Sequence, residues 1–214
     1  EVFFNSIGLK VVQWYGLTET SPIITGNLDK KVGSVGKPLD NLNVKIAEDG
    51  EILVKGPSIF AGYSNVSNDD VFTDDGFFQT GDLGHLDNDG YLYVTGRKKE
   101  IIVLSNGKNL SPNYFEEKLI QSVYVNQVMV VGDNHNYLMA LVVPDFEQVA
   151  QTLGIDDAPE EMVNNDQVKS LILTDLEQLS APLASFETIK NVGLIPNEFS
   201  IEGRELTPTL KLRR

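Results

Sequence analysis

The sequence predicts an α+β protein: a small antiparallel, barrel-like β subdomain followed by a small α/β domain. Three observations predict it. From Val32 to Gly96 the chain is rich in glycine and alternates apolar with polar residues in short runs, the period of half-buried strands. Beyond Gly96-Arg97 the texture changes, and Val168, Leu171, Ile172, Leu176 and Leu179 recur at helical spacing. Between the two textures lies the charged link Gly96-Arg97-Lys98-Lys99-Glu100. It places the division at 97/98, giving domains 1–97 and 98–214.

Taken in order, Val2–Leu9 reads as the end of a helix with Phe3, Phe4 and Ile7 inward, closed at Gly8. Val11–Trp14 is a short apolar strand, and Tyr15–Pro22 is a polar loop leaving it. Val44–Ile46 and Glu51–Lys55 flank Glu48-Asp49-Gly50, a hairpin signal, and Asp87-Asn88-Asp89-Gly90 before Tyr91–Val94 is another. Ser111 suits a helix N-cap and Pro112 its first turn. Glu116 and Glu117 are expected near the positive end of that helix, and Phe115, Leu119, Ile120 and Val123 on its apolar face. Val128–Val131 and Leu138–Val143 form a further hairpin around Gly132-Asp133-Asn134, and the long amphipathic helix follows.

A chain of 214 residues can hold one large or two small cores. Its 41% hydrophobic and 22% charged content is ordinary for a globular protein. The net charge of −14 repels phosphate backbones, which argues against nucleic acid as a partner. Any nucleotide would have to be held by a few placed cations, backbone N–H groups or a metal. There is no cysteine, which excludes disulfides, thiolate chemistry and thiolate-bound zinc. His85 and His135 read as a strand residue and a hairpin-turn residue, and Asp156-Asp157 and Glu160-Glu161 as solvated pairs. No apolar run reaches membrane-spanning length, and the first residues do not look like a signal peptide, so a cytoplasmic location is expected. Peripheral membrane contact and oligomeric state stay open. Glu1 is not a starting Met, which suggests a piece of a longer protein.

Four stretches carry candidate chemistry. In Tyr15-Gly16-Leu17-Thr18-Glu19-Thr20, a strand end offers a ring to stack on a base, a hydroxyl for a phosphate oxygen and a carboxylate for a hard cation. Taken alone, it reads as an ordinary strand-to-loop turn in which Tyr15 packs and Glu19 is solvated. In Thr80-Gly81-Asp82, a carboxylate behind a glycine turn can accept from two vicinal hydroxyls, though turn-capping Asp residues are common. Arg97 can offer its donor fork to the same ribose or to a phosphate; otherwise it is a surface ion pair of little value. In Leu206–Arg214, Lys211 sits in an extended Thr/Pro-rich tail and could bring a point charge to a departing phosphate. Taken alone, the tail reads as a frayed basic terminus.

Order lifts these pieces above their plainer readings. YGLTET, QTGD, GRKKEIIVLSNGKNLSP and a terminal lysine motif together resemble the adenylate-forming superfamily of acyl-CoA synthetases, peptide-synthetase adenylation domains and luciferases. The resemblance covers essentially the whole chain. LTPTLKLRR and SNGKNLSP look most like the long-chain fatty acid–CoA ligases, with Leu210 where most other branches carry Gly.

That resemblance implies ATP/AMP, Mg²⁺ and coenzyme A, with a fatty acid as the acid substrate. Tyr15 matches the aromatic against adenine, followed by Gly16. Thr18 matches the phosphate-contacting hydroxyl and Glu19 the Mg²⁺ carboxylate. Asp82 and Arg97 match the ribose-binding acid and base, and Lys99 the hinge of a small C-terminal lid. Lys211 matches the lysine on the acyl carboxylate and α-phosphate, and Gly107 the strand that leaves room for pantetheine. Trp14 stands where many relatives carry Gly; a bulky ring there could alter the acyl or adenine pocket, but packing under its strand is the expectation. The family's Gly/Ser/Thr-rich phosphate loop does not occur here, so the chain alone is expected not to form an acyl-adenylate. Two other readings stay open: an adenylate-forming ligase for an aryl or amino acid, and a non-catalytic acidic binding module.

Overall fold

The computed structural model describes residues 2–29, 31–181 and 183–213. Arg214 of the terminal motif lies outside them. The chain divides into two compact units, Glu1–Lys99 and Glu100–Arg214, two residues beyond the edge placed from sequence. Among the described residues no helix is long and apolar enough to cross a membrane.

The first unit begins with a short helix α1 (Val2–Ser6), whose inward-facing reading is overturned. Phe3, Phe4 and Ile7 are 67%, 47% and 58% exposed. The apolar cluster of this unit is built from Ile24, Leu42, Ile52, Val54 and Leu92, so the face of this one-turn helix finds no place in it. Strands β1 (Trp14–Tyr15), β2 (Thr25–Gly26) and β3 (Lys37–Pro38) form one small antiparallel sheet. The expected Val11–Trp14 strand therefore shrinks and moves C-terminally. Trp14 lies across Gly26, where an added Cβ would meet its ring at 2.7 Å.

Strands β4 (Asn43–Ile46), β5 (Glu51–Lys55), β6 (Phe78–Leu86) and β7 (Leu92–Arg97) form an antiparallel meander. The two hairpin signals fall at its β4–β5 and β6–β7 turns. Glu51, Ile52, Leu53 and Val54 of β5 are all buried, so this inner strand is covered on both faces and only Lys55 is exposed. One irregularity matters. β6 runs from Gln79 to Leu83 while β5 advances only from Leu53 to Glu51, so Thr80-Gly81-Asp82 bulges out of the ladder. Gly81 takes φ +71° there, a value that glycine adopts without steric cost.

The second unit opens with a two-stranded ribbon, β8 (Ile102–Val103) and β9 (Asn109–Leu110). Helix α2 (Pro112–Leu119) follows. Strands β10 (Val125–Val131) and β11 (Leu138–Pro144) make the expected hairpin, and Asn134 turns it at φ +61°. Helices α3 (Phe146–Leu153), α4 (Pro159–Met162) and α5 (Asp166–Ser180) lead to β12 (Ile189–Leu194), which adds parallel to β11. A parallel neighbour requires such a helical crossover. Val168, Ile172 and Leu176 of α5 and Phe115 and Leu119 of α2 join the strands in one core.

Three details of α2 depart from expectation. Ser111 occupies the N-cap position, but its hydroxyl makes no cap bond and is buried without a partner. Glu116 and Glu117 lie beyond the first turn, and Glu116 instead accepts the Val130 N–H at 2.7 Å, tying α2 to β10. Ile120 and Val123 are exposed because the helix stops at Leu119 and the chain turns away.

Candidate nucleotide site

The loop leaving β1 is shaped by a close crossing of two backbone segments. A Cβ on Gly16 would lie 1.8 Å from the Pro22 carbonyl oxygen, so only glycine admits the approach. Ile24 N–H then donates to Tyr15 O at 2.7 Å. Thr18–Thr20 form one 3-10 turn, braced by the buried Thr20 hydroxyl, which accepts from Leu17 N–H and donates to Leu17 O. This brace leaves Thr18 exposed and Glu19 half-buried.

Asp82 is the centre of the cluster. It is 6% exposed, accepts the Tyr15 hydroxyl on Oδ2 at 2.8 Å and pairs with Arg97 Nε through Oδ1 at 2.8 Å. β-sheet register brings Asp82 opposite Arg97, while Tyr15 arrives from a different sheet. Burial first, and then the Asp82 charge, push the Tyr15 phenol well above its usual range, so it remains a neutral donor. Each Asp82 oxygen still has a second lone pair, and Arg97, half exposed, is held with its fork beside it. A buried acceptor edge next to a guanidinium suits a vicinal diol.

Glu19 follows on the same loop. Its carboxylate accepts the Tyr63 hydroxyl, and its carbonyl accepts Phe60 N–H at 2.9 Å. The Glu19 carboxylate raises the Tyr63 phenol above its ordinary value, and Arg97 acts on the same phenol in the opposite sense. Among the described residues no group of three or more His, Cys, Asp or Glu side chains could hold a metal. A lone carboxylate is nonetheless what Mg²⁺ uses when phosphate oxygens and waters complete its shell, and Glu19 fits that part.

Other sequence candidates are placed as follows. Lys99 lies exposed in the 3-10 turn Lys98–Glu100 that ends the first unit. In the second unit, Gly107 is not in a strand but in the β8–β9 turn, at φ +78° with open space where a Cβ would stand. The tail around Lys211 is not extended. Thr207 N–H donates to Lys211 O at 2.8 Å and Lys211 N–H to the Thr207 hydroxyl at 3.1 Å. Leu206 and Leu212 flank this turn and pack against Met129, Val143 and Phe199. The turn requires φ +59° at Leu210, a left-handed conformation that glycine adopts more easily. His85 stacks on Tyr93 within the sheet.

The sequence reading missed two residues. Tyr63 follows Gly62 with no periodicity to mark it. Glu51 accepts the Gly81 N–H and the Lys98 ammonium. A signal existed for it: a charged residue beginning the otherwise apolar Ile52-Leu53-Val54 run.

Comparison with known proteins follows the same division. The family model "AMP-binding enzyme" matches residues 1–64, and "AMP-binding enzyme C-terminal domain" matches residues 99–196. The chain belongs to the AMP-binding enzymes. It is 36% identical over 223 residues to a long-chain-fatty-acid–CoA ligase of Mycobacterium bovis, covering 99% of this chain and 37% of the relative. With long-chain-fatty-acid–CoA ligase 1 of Homo sapiens it shares 34% identity, over 98% of this chain and 33% of that protein. The chain thus spans about a third of the length of these curated relatives. Among solved structures, an O-succinylbenzoate coenzyme A synthetase of Bacillus subtilis in complex with AMP matches at TM-score 0.75 and 27% identity, over 99% of this chain and 41% of that one. ATP-bound MatB of Rhodopseudomonas palustris matches at TM-score 0.64 and 30% identity, over 89% of this chain and 37% of that one.

Proposed function

We propose that this segment serves an AMP-forming long-chain fatty acid–CoA ligase, in which the first unit cradles the nucleotide and the second acts as the lid. The Tyr15–Asp82–Arg97 cluster carries the reading. Asp82 accepts the two ribose hydroxyls, Arg97 donates beside them, and the Tyr15 ring lies against adenine. Thr18 donates to a phosphate oxygen. Mg²⁺, when bound, neutralises phosphate charge, and Glu19 is the protein oxygen that would hold it.

In the first half-reaction a fatty acid carboxylate oxygen bonds to the α-phosphorus of ATP, and the bond from that phosphorus to the bridging oxygen of pyrophosphate breaks. Lys211 places its ammonium against the charge that develops there. In the second, the coenzyme A thiol gives its proton to water, its sulfur bonds to the acyl carbon, the bond from that carbon to the phosphate oxygen breaks, and AMP leaves. Lid rotation at Lys99 withdraws Lys211 and brings the Gly107 turn forward, where the missing side chain leaves passage for pantetheine. The long-chain assignment is supported by LTPTLKLRR and SNGKNLSP and by relatives named as long-chain ligases.

Calorimetric titration of the chain with AMP tests the cradle. Saturable binding is expected, weakened about ten-fold or more in Asp82→Asn, the effect of one lost charged acceptor. Equal binding by both proteins would refute it. Pyrophosphate exchange by the ligase that contains this segment tests the substrate class, and a preference for aryl or amino acids over long-chain fatty acids would overturn that part.

A further inference from the structure

Glu51 opens β5 and is only 4% exposed. A buried carboxylate is tolerated when each oxygen is paired, and here the two oxygens are divided between separate partners. Oε1 accepts the Gly81 N–H at 2.9 Å. Oε2 accepts the Lys98 ammonium at 2.8 Å. Gly81 immediately precedes Asp82, and Lys98 immediately follows Arg97. One side chain therefore grips the chain just before the acid and just after the base of the candidate ribose pair.

The grip fits the geometry around it. Gly81 stands at φ +71° at the centre of the β6 bulge, where the Thr80 hydroxyl donates to Ile52 O at 2.7 Å and accepts from Asp82 N–H at 3.1 Å. The bulge N–H groups at Gly81 and Asp82 are thus both satisfied by side chains, and that of Gly81 depends on Glu51. On the far side, Lys98 also pairs with Asp49 at 2.6 Å. The Asp49 and Glu51 carboxylates together raise the Lys98 ammonium above its ordinary value, so it stays charged. Lys98 is also the residue before Lys99, where the first unit ends.

We propose that Glu51 is a positioning residue for the nucleotide: by clamping Gly81 to Lys98 it holds the Asp82 carboxylate and the Arg97 guanidinium at the spacing that a ribose diol requires. This rests on the function proposed above. Glu51 does not touch the ligand, so its contribution falls on discrimination of the ribose hydroxyls rather than on binding in general.

The test compares AMP with 2′,3′-dideoxy-AMP by calorimetry on the 214-residue chain, well below each protein's melting temperature. The wild type is expected to prefer AMP by about ten-fold or more, the size of a good charged hydrogen bond. In Glu51→Gln, which is nearly isosteric, and in Lys98→Met, which replaces a half-exposed residue, that ratio is expected to fall by about three-fold or more, through weaker AMP binding with little change for the dideoxy ligand. A role confined to holding the sheet together would lower the melting temperature and leave the ratio untouched, and that result overturns the inference while sparing the proposed function. A wild-type chain that fails to prefer AMP overturns both. Loss of the ratio in Glu51→Gln with retention in Lys98→Met removes the clamp and leaves only the Gly81 contact, which also overturns the inference as stated.

Discussion

At the scale of single residues, the candidate site is organised by what surrounds one buried charge. Asp82 has one neutral partner and one cationic partner, Tyr15 and Arg97. Their roles separate by substitution. Tyr15→Phe removes a hydrogen bond to a carboxylate and should cost about 1.5–3 kcal/mol of unfolding free energy in urea titration, with AMP affinity kept within about three-fold because the ring remains. Tyr15→Ala should lose AMP affinity by a further ten-fold or so, as stacking a base on an aromatic contributes on the order of 1–3 kcal/mol. Equal affinity for Phe and Ala variants would remove the ring from the site. Residue identity in YGLTET, TGD and GRKKE pointed to Tyr15, Asp82 and Arg97, but no sequence pattern says that the Tyr15 hydroxyl lands on Asp82, since the two residues are 67 apart and lie on different sheets.

At the scale of elements, the deciding features are close approaches and bulges. The Tyr15–Glu19 loop exists because Gly16 lets it pass against Pro22. Gly16→Ala must push the two segments apart, and a loss of about 3 kcal/mol or more in stability, with AMP binding abolished, is expected from such overpacking of backbone on backbone. Thermal denaturation and calorimetry would check it; a variant of wild-type stability would contradict the crossing. The β6 bulge has a similar logic, since Thr80-Gly81-Asp82 leaves the β5 ladder there while Asp82 keeps its buried place opposite Arg97 of β7. Hairpins were legible because their turns use Asp, Asn and Gly at fixed positions. Helix ends were not. Ile120 and Val123 share the period of α2 yet lie past its end, because the chain turns towards β10 after Leu119. The Thr and Pro content of the Lys211 tail predicts an extended segment, whereas Leu206 and Leu212 fold it back onto Met129, Val143 and Phe199.

At the scale of the whole chain, the two units have separate apolar cores. Ile24, Leu42, Ile52, Val54 and Leu92 serve the first, and a larger cluster on β10, β11, β12, α2 and α5 serves the second. Residues 100–214 produced alone are therefore expected to fold, with a cooperative thermal transition and the far-ultraviolet dichroism of an α/β domain. A non-cooperative melt would show that the second core depends on the first. The sequence by itself determined the α+β class, the pair of textures on either side of the GRKKE link, and the membership that four ordered motifs carry. These are local or cumulative signals: period, turn chemistry and residue identity at short spacing. Only the tertiary structure decided that Glu51 reaches both Gly81 and Lys98, that Tyr63 meets Glu19, and that the α1 aromatics face outward. Such contacts join residues tens of positions apart, and which ones meet depends on sheet register and on whether a core has room, quantities that no short stretch of chain contains.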